Sequence, residues 1–414
     1  MKKNFITGLI SGLCGSILLF AIIGTIFVMS NNLSTDNENQ QLETQEENQT
    51  AKEDQSYSQI MDKLIFLEML VDNYYLEEVD RKAFADGIYK GFIASLEDPY
   101  STYYTQEEYK QLMESSSGVY HGIGATVSQD AKTGVISIVK PFKTGPAYEA
   151  GLLPGDIIYK VENEEVTGVD LTEVVSKMKG KEGTKVRISI VREGESKPLD
   201  FTITRRKIEV PTIEYKMLKD KVGYIIISEF DEITVTQFKK AVDDLENQGM
   251  KALVIDVRNN PGGLLDAVVA MLDRVLPKGL LVYTEDKHGN RSEEEAKDAK
   301  KVSVPLAVLI NGNSASASEI FAGAIQDYKA GTVVGTTSFG KGIVQKVIPL
   351  TDGTAVKLTI SKYFTPKVRN IHGTGIKPDV EIELDAELQK QVVIPIEKDN
   401  QLQEAIKILK KKMK

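Results

Sequence analysis

The chain has 414 residues, with 51 Lys and Arg against 60 Asp and Glu, three His, one Cys and no Trp. That length holds about two to four domains with ample core, and a net charge of −9 argues against a phosphate-backbone footprint, which needs clustered basic excess. One Cys excludes intramolecular disulfides and Cys-rich zinc sites, and His121, His288 and His372 lie too far apart for H-x-x-x-H chemistry, so a hydrolase built on this chain is expected to use no metal or other cofactor.

Phe5 to Met29 are 25 residues without a charge. As a helix they span about 37 Å, enough to cross a hydrocarbon core of ~30 Å. Lys2 and Lys3 precede the span and acids follow it, which predicts an uncleaved signal anchor in the cell membrane, residues 1–30, with a cytoplasmic N-terminus and everything after residue 30 outside. Release by cleavage near Val28-Met29-Ser30 is the alternative. Cys14 lies within the span behind Leu13 and reads as a buried apolar thiol. Residues 31–56 carry seven acids and one Lys, too polar to bury apolar surface, and predict a disordered linker.

Over residues 57–116 the apolar positions recur at helical spacing: Ile60, Leu64, Leu67 and Leu70, then Phe84, Ile88, Phe92 and Leu96. This predicts an N-terminal helical region ending at Asp98-Pro99-Tyr100-Ser101. Residues 117–207 change to short β-rich runs with Gly turns and one helical stretch, Leu171 to Met178, and read as one compact, mostly-β domain. Residues 208–384 alternate strand (222–228, 252–257, 305–310, 332–334) and helix (234–248, 264–275, 316–328). That βαβαβαβ order predicts a layered α/β core with its site at strand ends. Residues 385–414 form a polar tail whose lysine-rich end reads as a solvated helix.

Chemistry concentrates in the core. After the apolar run Val308 to Ile310, Ser316-Ala317-Ser318-Glu319 fits the capping box S-x-x-E. The plain reading of Ser316 is an N-cap; the sharper one is a nucleophile at a helix start, where free N–H groups stabilise developing negative charge. No His is suitably placed to act as its base. Lys341, between Gly340 and Gly342, is the candidate, because burial disfavours the ammonium form and yields a neutral amine. Gln345, four residues on, shares a side with Lys341 on a strand or a helix and can orient it. Gly262-Gly263 after the run Ala252 to Val257 is a strand-to-helix turn that can aim a backbone N–H at an oxyanion, with the Ala317 amide as the second donor. Gly335 to Gly342 also fits G-x-x-x-x-G-K, but Gly342 replaces the Mg²⁺-holding hydroxyl and a β-branched run follows in place of a helix. An NTPase is the weaker reading.

Taken together, DPYSTYYTQEEY (98–109), AGLLPGD (150–156), DVRNNPGG (256–263), NSASASEIFAGAIQD (313–327), FGKGIVQ (339–345) and IHGTGIKPD (371–379) resemble the carboxyl-terminal processing, or tail-specific, proteases. The resemblance runs in family order over roughly residues 60–384. It implies a Ser/Lys peptidase with a layered α/β core of the ClpP/crotonase type, an inserted mostly-β PDZ domain at 117–207, the N-terminal helical region and one transmembrane helix. Carried over by residue, it makes Ser316 the nucleophile, Lys341 the general base and Gln345 its orienting partner, with Gly262 and Ala317 as oxyanion donors. Gly312 departs from the acidic residue many members carry, outside the proposed triad. Gly122-Ile123-Gly124-Ala125 resembles the carboxylate-binding loop of a PDZ domain, which would take protein substrates by their C-terminal tails and gate activity. The family further implies a homodimer, with residues 57–110 and 386–414 as candidates for self-association and the tail as a possible dimerisation helix; the net charge of −9 speaks against a nucleic-acid partner. A catalytically silent PDZ scaffold of the envelope is the alternative function.

Overall fold

A computed structural model describes residues 44–297, 301–391 and 394–413 of the chain, which divides into two compact units, residues 1–81 and 82–414. In the first, a helix runs from Thr44 to Tyr74. It begins inside the stretch expected to be a disordered linker. Residues 31–43 of that stretch lie outside the described residues. The transmembrane helix of the expected architecture, and the single-pass topology built on it, require correction. Among the described residues no helix is long and apolar enough to cross a membrane, and the candidate span Phe5 to Met29 lies outside them.

The larger unit is built on a six-stranded sheet in the order Ile213–Met217, Val222–Ile227, Ala252–Asp256, Leu306–Ile310, Gly331–Gly335 and Val380–Glu381. The first pair is antiparallel and the remaining neighbours are parallel. Every residue of ALVID and LAVLI is buried. Such continuous apolar runs belong to parallel strands covered on both faces. One face packs under the helices Glu232–Asn247, Leu265–Asp273 and Ala317–Asp327, with Phe230, Phe238 and Phe321 fully buried between them.

The other face is covered by the C-terminal helix Asn400–Lys412. This corrects the solvated tail: Leu402, Ala405 and Leu409 are fully buried against the sheet, a narrow i, i+3, i+7 stripe within an otherwise charged helix. The stripe is occupied within the chain, so it is not free to serve as the expected dimerisation face. Its entry is fixed by Arg258, whose guanidinium meets Asp256 at 2.5 Å and Asp399 at 2.7 Å and reaches Gln401 at 2.8 Å.

A second, antiparallel sheet lies beside the first: Thr102–Tyr104, Ala355–Phe364, Gly279–Asp286 and Arg291–Ala296, with Ile343–Pro349 paired on Ala355–Phe364. Residues 119–209 form the mostly-β domain. Its entering strand Val119–Gly122 and leaving strand Arg206–Glu209 pair antiparallel, as an inserted domain requires. Within it a sheet runs Ala125–Gln129, Ile136–Pro141, Ile157–Val161, Lys185–Val191, Leu199–Thr204, leaving Ala125–Gln129 as an edge strand, over its own core of Ile138, Ile158, Val174 and Ile188.

Because the tail helix is an inner layer, Leu409→Ala should cost about 2–5 kcal/mol by leaving a cavity, while Lys411→Ala on the exposed side stays within about 0.5 kcal/mol. Denaturant unfolding of the two variants checks this, and equal midpoints would refute it.

Candidate active site

Strand Leu306–Ile310 ends in a turn that delivers Ser316 to the start of helix Ala317–Asp327. Ser316 holds φ 53° and ψ −113°, a region side chains other than Gly rarely occupy and one that persists where the surroundings impose it. Those surroundings are its neighbouring serines. Ser314 and Ser318 are fully buried, and their hydroxyls donate to the carbonyls of Val257 at 2.7 Å and Asn260 at 2.9 Å. Both are spent on fastening the turn to the adjoining strand end. Ser316 alone of the three is half-exposed. Its carbonyl accepts from Glu319 N–H at 2.8 Å, Ile320 N–H at 3.0 Å and the buried Tyr363 hydroxyl at 3.1 Å.

Sequence reasoning saw Glu319 only as a capping-box residue. The Ser316 N–H does donate to its carboxylate at 2.8 Å, though the Ser316 side chain makes no full cap hydrogen bond. Glu319 is fully buried and also accepts from the Ser338 hydroxyl at 2.6 Å, Gly340 N–H at 2.7 Å and Lys341 N–H at 2.8 Å. One oxygen, Oε2, thus takes the backbone N–H groups of both Ser316 and Lys341.

The glycine after Lys341 is required by its neighbour. A Cβ on Gly342 would lie 2.6 Å from His372 N, because the loop Ile371 to Gly375 packs directly on this backbone. The Lys341 side chain is half-buried, and its amine lies 4.4 Å from the Tyr100 ring centroid. Burial, then the neighbouring Lys357 charge, push its pKa below the ordinary lysine value, against the opposing charge of Asp98. Among the described residues no hydrogen bond joins this amine to the Ser316 hydroxyl.

Gln345 sits opposite Thr359 on the paired strand, and its amide donates to Thr359 Oγ1 at 3.3 Å, not to Lys341. Thr359 N–H donates to Ser101 Oγ at 3.1 Å, and the Ser101 hydroxyl donates to Asp98 at 2.6 Å. Partial burial pushes the Asp98 carboxyl up, but hydrogen bonds from Ser101, Thr359 and Tyr100, with the Lys341 charge, hold it below its ordinary value. Asp98-Pro99-Tyr100-Ser101 therefore walls the site, where local reading saw only a helix end. The clustering of Asp, Tyr and Ser in four residues was the available signal; the partner lysine lies far along the chain.

Gly262 is pressed against the serine turn: a Cβ there would lie 2.8 Å from Ala315 O and 2.9 Å from Ser316 Cβ, and its φ is +111°, so glycine is required. Its N–H, expected to face an oxyanion, instead donates to Asn260 Oδ1 at 2.8 Å. Among the described residues the Ala317 N–H makes no hydrogen bond, and it opens the helix.

In the mostly-β domain, Gly122 ends the entering strand, Ile123 and Gly124 are buried, and Ala125 begins the edge strand. The Ile123 and Gly124 carbonyls are taken by Ala147 and Phe142 N–H groups at 2.8 and 2.9 Å. The N–H groups of Gly124 and Ala125 face the Tyr120 phenol, which burial pushes up to about 12. A cavity of about 550 Å³ adjoins the loop, between helix Leu171–Met178 and helix Gln106–Ser117, lined by His121, Leu171, Val175 and Lys179 among others.

Comparison with known proteins places this geometry. The sequence profile of peptidase family S41 matches residues 221–382, a PDZ-domain profile matches 139–192, and that of the activating protease CtpB N-terminal domain matches 18–108. The carboxy-terminal processing protease CtpB of Bacillus subtilis (strain 168) is 40% identical over 338 residues, covering 81% of this chain and 70% of that protein. CtpA of the same organism is 40% identical over 318 residues, covering 77% and 67%. A solved S41 protease structure from Bacteroides fragilis has the same fold, with a TM-score of 0.51 at 18% identity over 78% of this chain and 90% of that one. The chain belongs to the carboxy-terminal processing proteases, serine-type peptidases of family S41 that carry a PDZ domain.

Proposed function

We propose that Ser316 is the nucleophile of this peptidase and Lys341 its general base, acting on protein substrates near their C-terminus. The observation that carries the reading is the Glu319 carboxylate, whose Oε2 holds the backbone N–H groups of Ser316 and Lys341 at 2.8 Å each. That shared oxygen supports a fixed spacing of the two residues, and burial, which lowers the Lys341 pKa, favours the neutral form that a base needs.

Neutral Lys341 takes the Ser316 hydroxyl proton as Oγ attacks the scissile carbonyl. The Ala317 N–H, at the positive end of its helix, receives the oxyanion. Gly262 supplies a second donor once its N–H is released from Asn260. The lysine ammonium then gives its proton to the leaving amine, an acyl-enzyme remains on Ser316, water deprotonated by Lys341 attacks it, and the lysine returns that proton to Ser316 Oγ as it leaves. Gln345 acts on this pair through Thr359, Ser101 and Asp98.

For substrate capture, the edge strand Ala125–Gln129 is open to an added strand. The Gly122 to Ala125 loop, beside half-buried Leu171 and Val175, suits a terminal carboxylate and an apolar last side chain. The Tyr120 phenol yields the Gly124 and Ala125 N–H groups to that carboxylate.

Ser316→Ala and Lys341→Ala should each lower kcat by on the order of 10⁴ or more while leaving unfolding midpoints unchanged. In the parent, kcat/KM should rise with pH as Lys341 loses its proton, the midpoint lying below the ordinary lysine pKa of about 10.4. Purified Ser316→Ala with parental activity would end the assignment. Glu319→Gln puts an amide NH₂ against backbone donors, so kcat should fall on the order of 100-fold and stability by about 1–3 kcal/mol; an active, equally stable variant would show that the carboxylate does not set the spacing. A peptide with a free apolar C-terminus should bind the full chain on the order of tenfold more tightly than its C-terminal amide, and equal affinities by calorimetry would remove the tail-binding role.

A further inference from the structure

The lysine amine lies over an aromatic face. Lys341 Nζ is 4.4 Å from the Tyr100 ring centroid, well inside the range for attraction between an ammonium and a ring quadrupole. Two charged side chains face the amine: Asp98, from the turn that carries Tyr100, and Lys357, from strand Ala355–Phe364. Glu319 binds the Lys341 backbone N–H and is not among the charges acting on the amine. The turn is itself well anchored, since Asp98 accepts from Tyr100 N–H at 3.1 Å and from Ser101, and Ser101 accepts from Thr359. Tyr100 is thereby fastened to the second sheet, with its ring presented to the lysine.

A neutral amine gains little from this position. The ring face and the Asp98 carboxylate both attract the cation, while burial and Lys357 disfavour it. The ring and Asp98 therefore favour the ammonium, against burial and Lys357, whose combined effect leaves the pKa below the ordinary lysine value. The ammonium cannot accept the serine proton, because its lone pair already carries one.

We propose that Tyr100, aided by Asp98, is a positioning residue that holds Lys341 as an ammonium away from Ser316, and that the amine leaves the ring to act as base. This rests on the reading of Lys341 as the base. In each turnover the proton balance closes: the ammonium loses a proton to solvent on leaving the ring, the free amine takes and returns those of the reaction, and after deacylation it regains one from solvent as it returns to the ring. Tyr100 acts through the Lys341 amine, so its effect falls on the pH dependence.

The test is the acid limb of kcat/KM for full-length chain on one peptide substrate. Tyr100→Leu, which removes the ring face, should move the limb down by about 0.5–1 pH unit and raise kcat/KM below the parental midpoint. Tyr100→Phe keeps the face and should keep the parental limb. Asp98→Asn should shift the limb down, and Lys357→Met, which removes a like charge, should shift it up. If Tyr100→Leu does not fold by thermal unfolding, Tyr100→Met refills the volume without a ring and takes its place. Coincident limbs for parent, Tyr100→Phe and the ring-free variant, with Lys341→Ala inactive, overturn the positioning role and leave the base assignment standing. Parental activity in Lys341→Ala overturns both.

Discussion

A carboxylate withdrawn from water must be surrounded by donors or it is not tolerated as a charge. Glu319 is fully buried and has four of them, from Ser316, Ser338, Gly340 and Lys341. These residues come from two segments separated by the helix Ala317–Asp327 and the strand Gly331–Gly335. Sheet hydrogen bonds fix each segment up to its strand end and no further. Beyond that point the carboxylate sets their separation, and Ser338 extends the clamp by accepting Ile376 N–H at 2.6 Å from the loop beneath. Removing a donor leaves a buried acceptor short, and removing the acceptor leaves four donors short, so the cluster behaves as a unit.

The layers around it explain why the site lies where it does. Parallel strands with both faces covered end together, and their C-terminal edge is where loops from Val257 to Gly263, Asn311 to Ser316 and Thr336 to Gly342 meet. The second sheet closes the remaining side. It contributes Gln345, Lys357 and Thr359, and it reaches the serine turn through the Tyr363 hydroxyl. On the far face the Arg258 network and the Asn400–Lys412 helix hold the strand end from which the Gly262 loop departs. A tail that touches no proposed catalytic group therefore supports one of them indirectly.

What could be read in the sequence follows from how local each signal is. ALVID and LAVLI announce buried strands because every residue is apolar or ends the strand, and Leu171 to Met178 stands out as a helical stretch among short β-rich runs. Ser316 and Lys341 could be picked out because their short neighbourhoods are unusual for their composition. The second sheet could not be foreseen in the same way. RSEEEA is a mostly exposed strand whose polar face looks like loop, and only pairing with Gly279–Asp286 makes it a strand; IVQKVIP showed as a β-branched run, but not its pairing with Ala355–Phe364. The tail helix hid its three buried apolar residues among lysines, and the Tyr100 contact joins residues far apart in the chain, which no local pattern encodes. The Gly262 N–H illustrates another limit. Its loop was legible, but the direction of one N–H depends on the side chain two residues before it.

The clamp also bears on how the proposed pair is controlled. Because Oε2 of Glu319 binds the backbone N–H groups of Ser316 and Lys341 alike, their main chains do not need to move for the lysine to change partner. What moves is the four-carbon stem. Rotamer changes of a half-exposed lysine take place within nanoseconds, and a cation on a ring face is held by about 0.5–2 kcal/mol, a small bias beside the barrier to peptide hydrolysis. On the proposed assignment, then, the resting geometry costs little to leave. The fraction of productive base is set by the charges that act on one amine, Asp98 favouring its ammonium and Lys357 opposing it, while the strained serine turn stays ready throughout. Control through the side chain preserves the arrangement that was hardest to build, the φ 53° backbone of Ser316 held by its neighbouring serines.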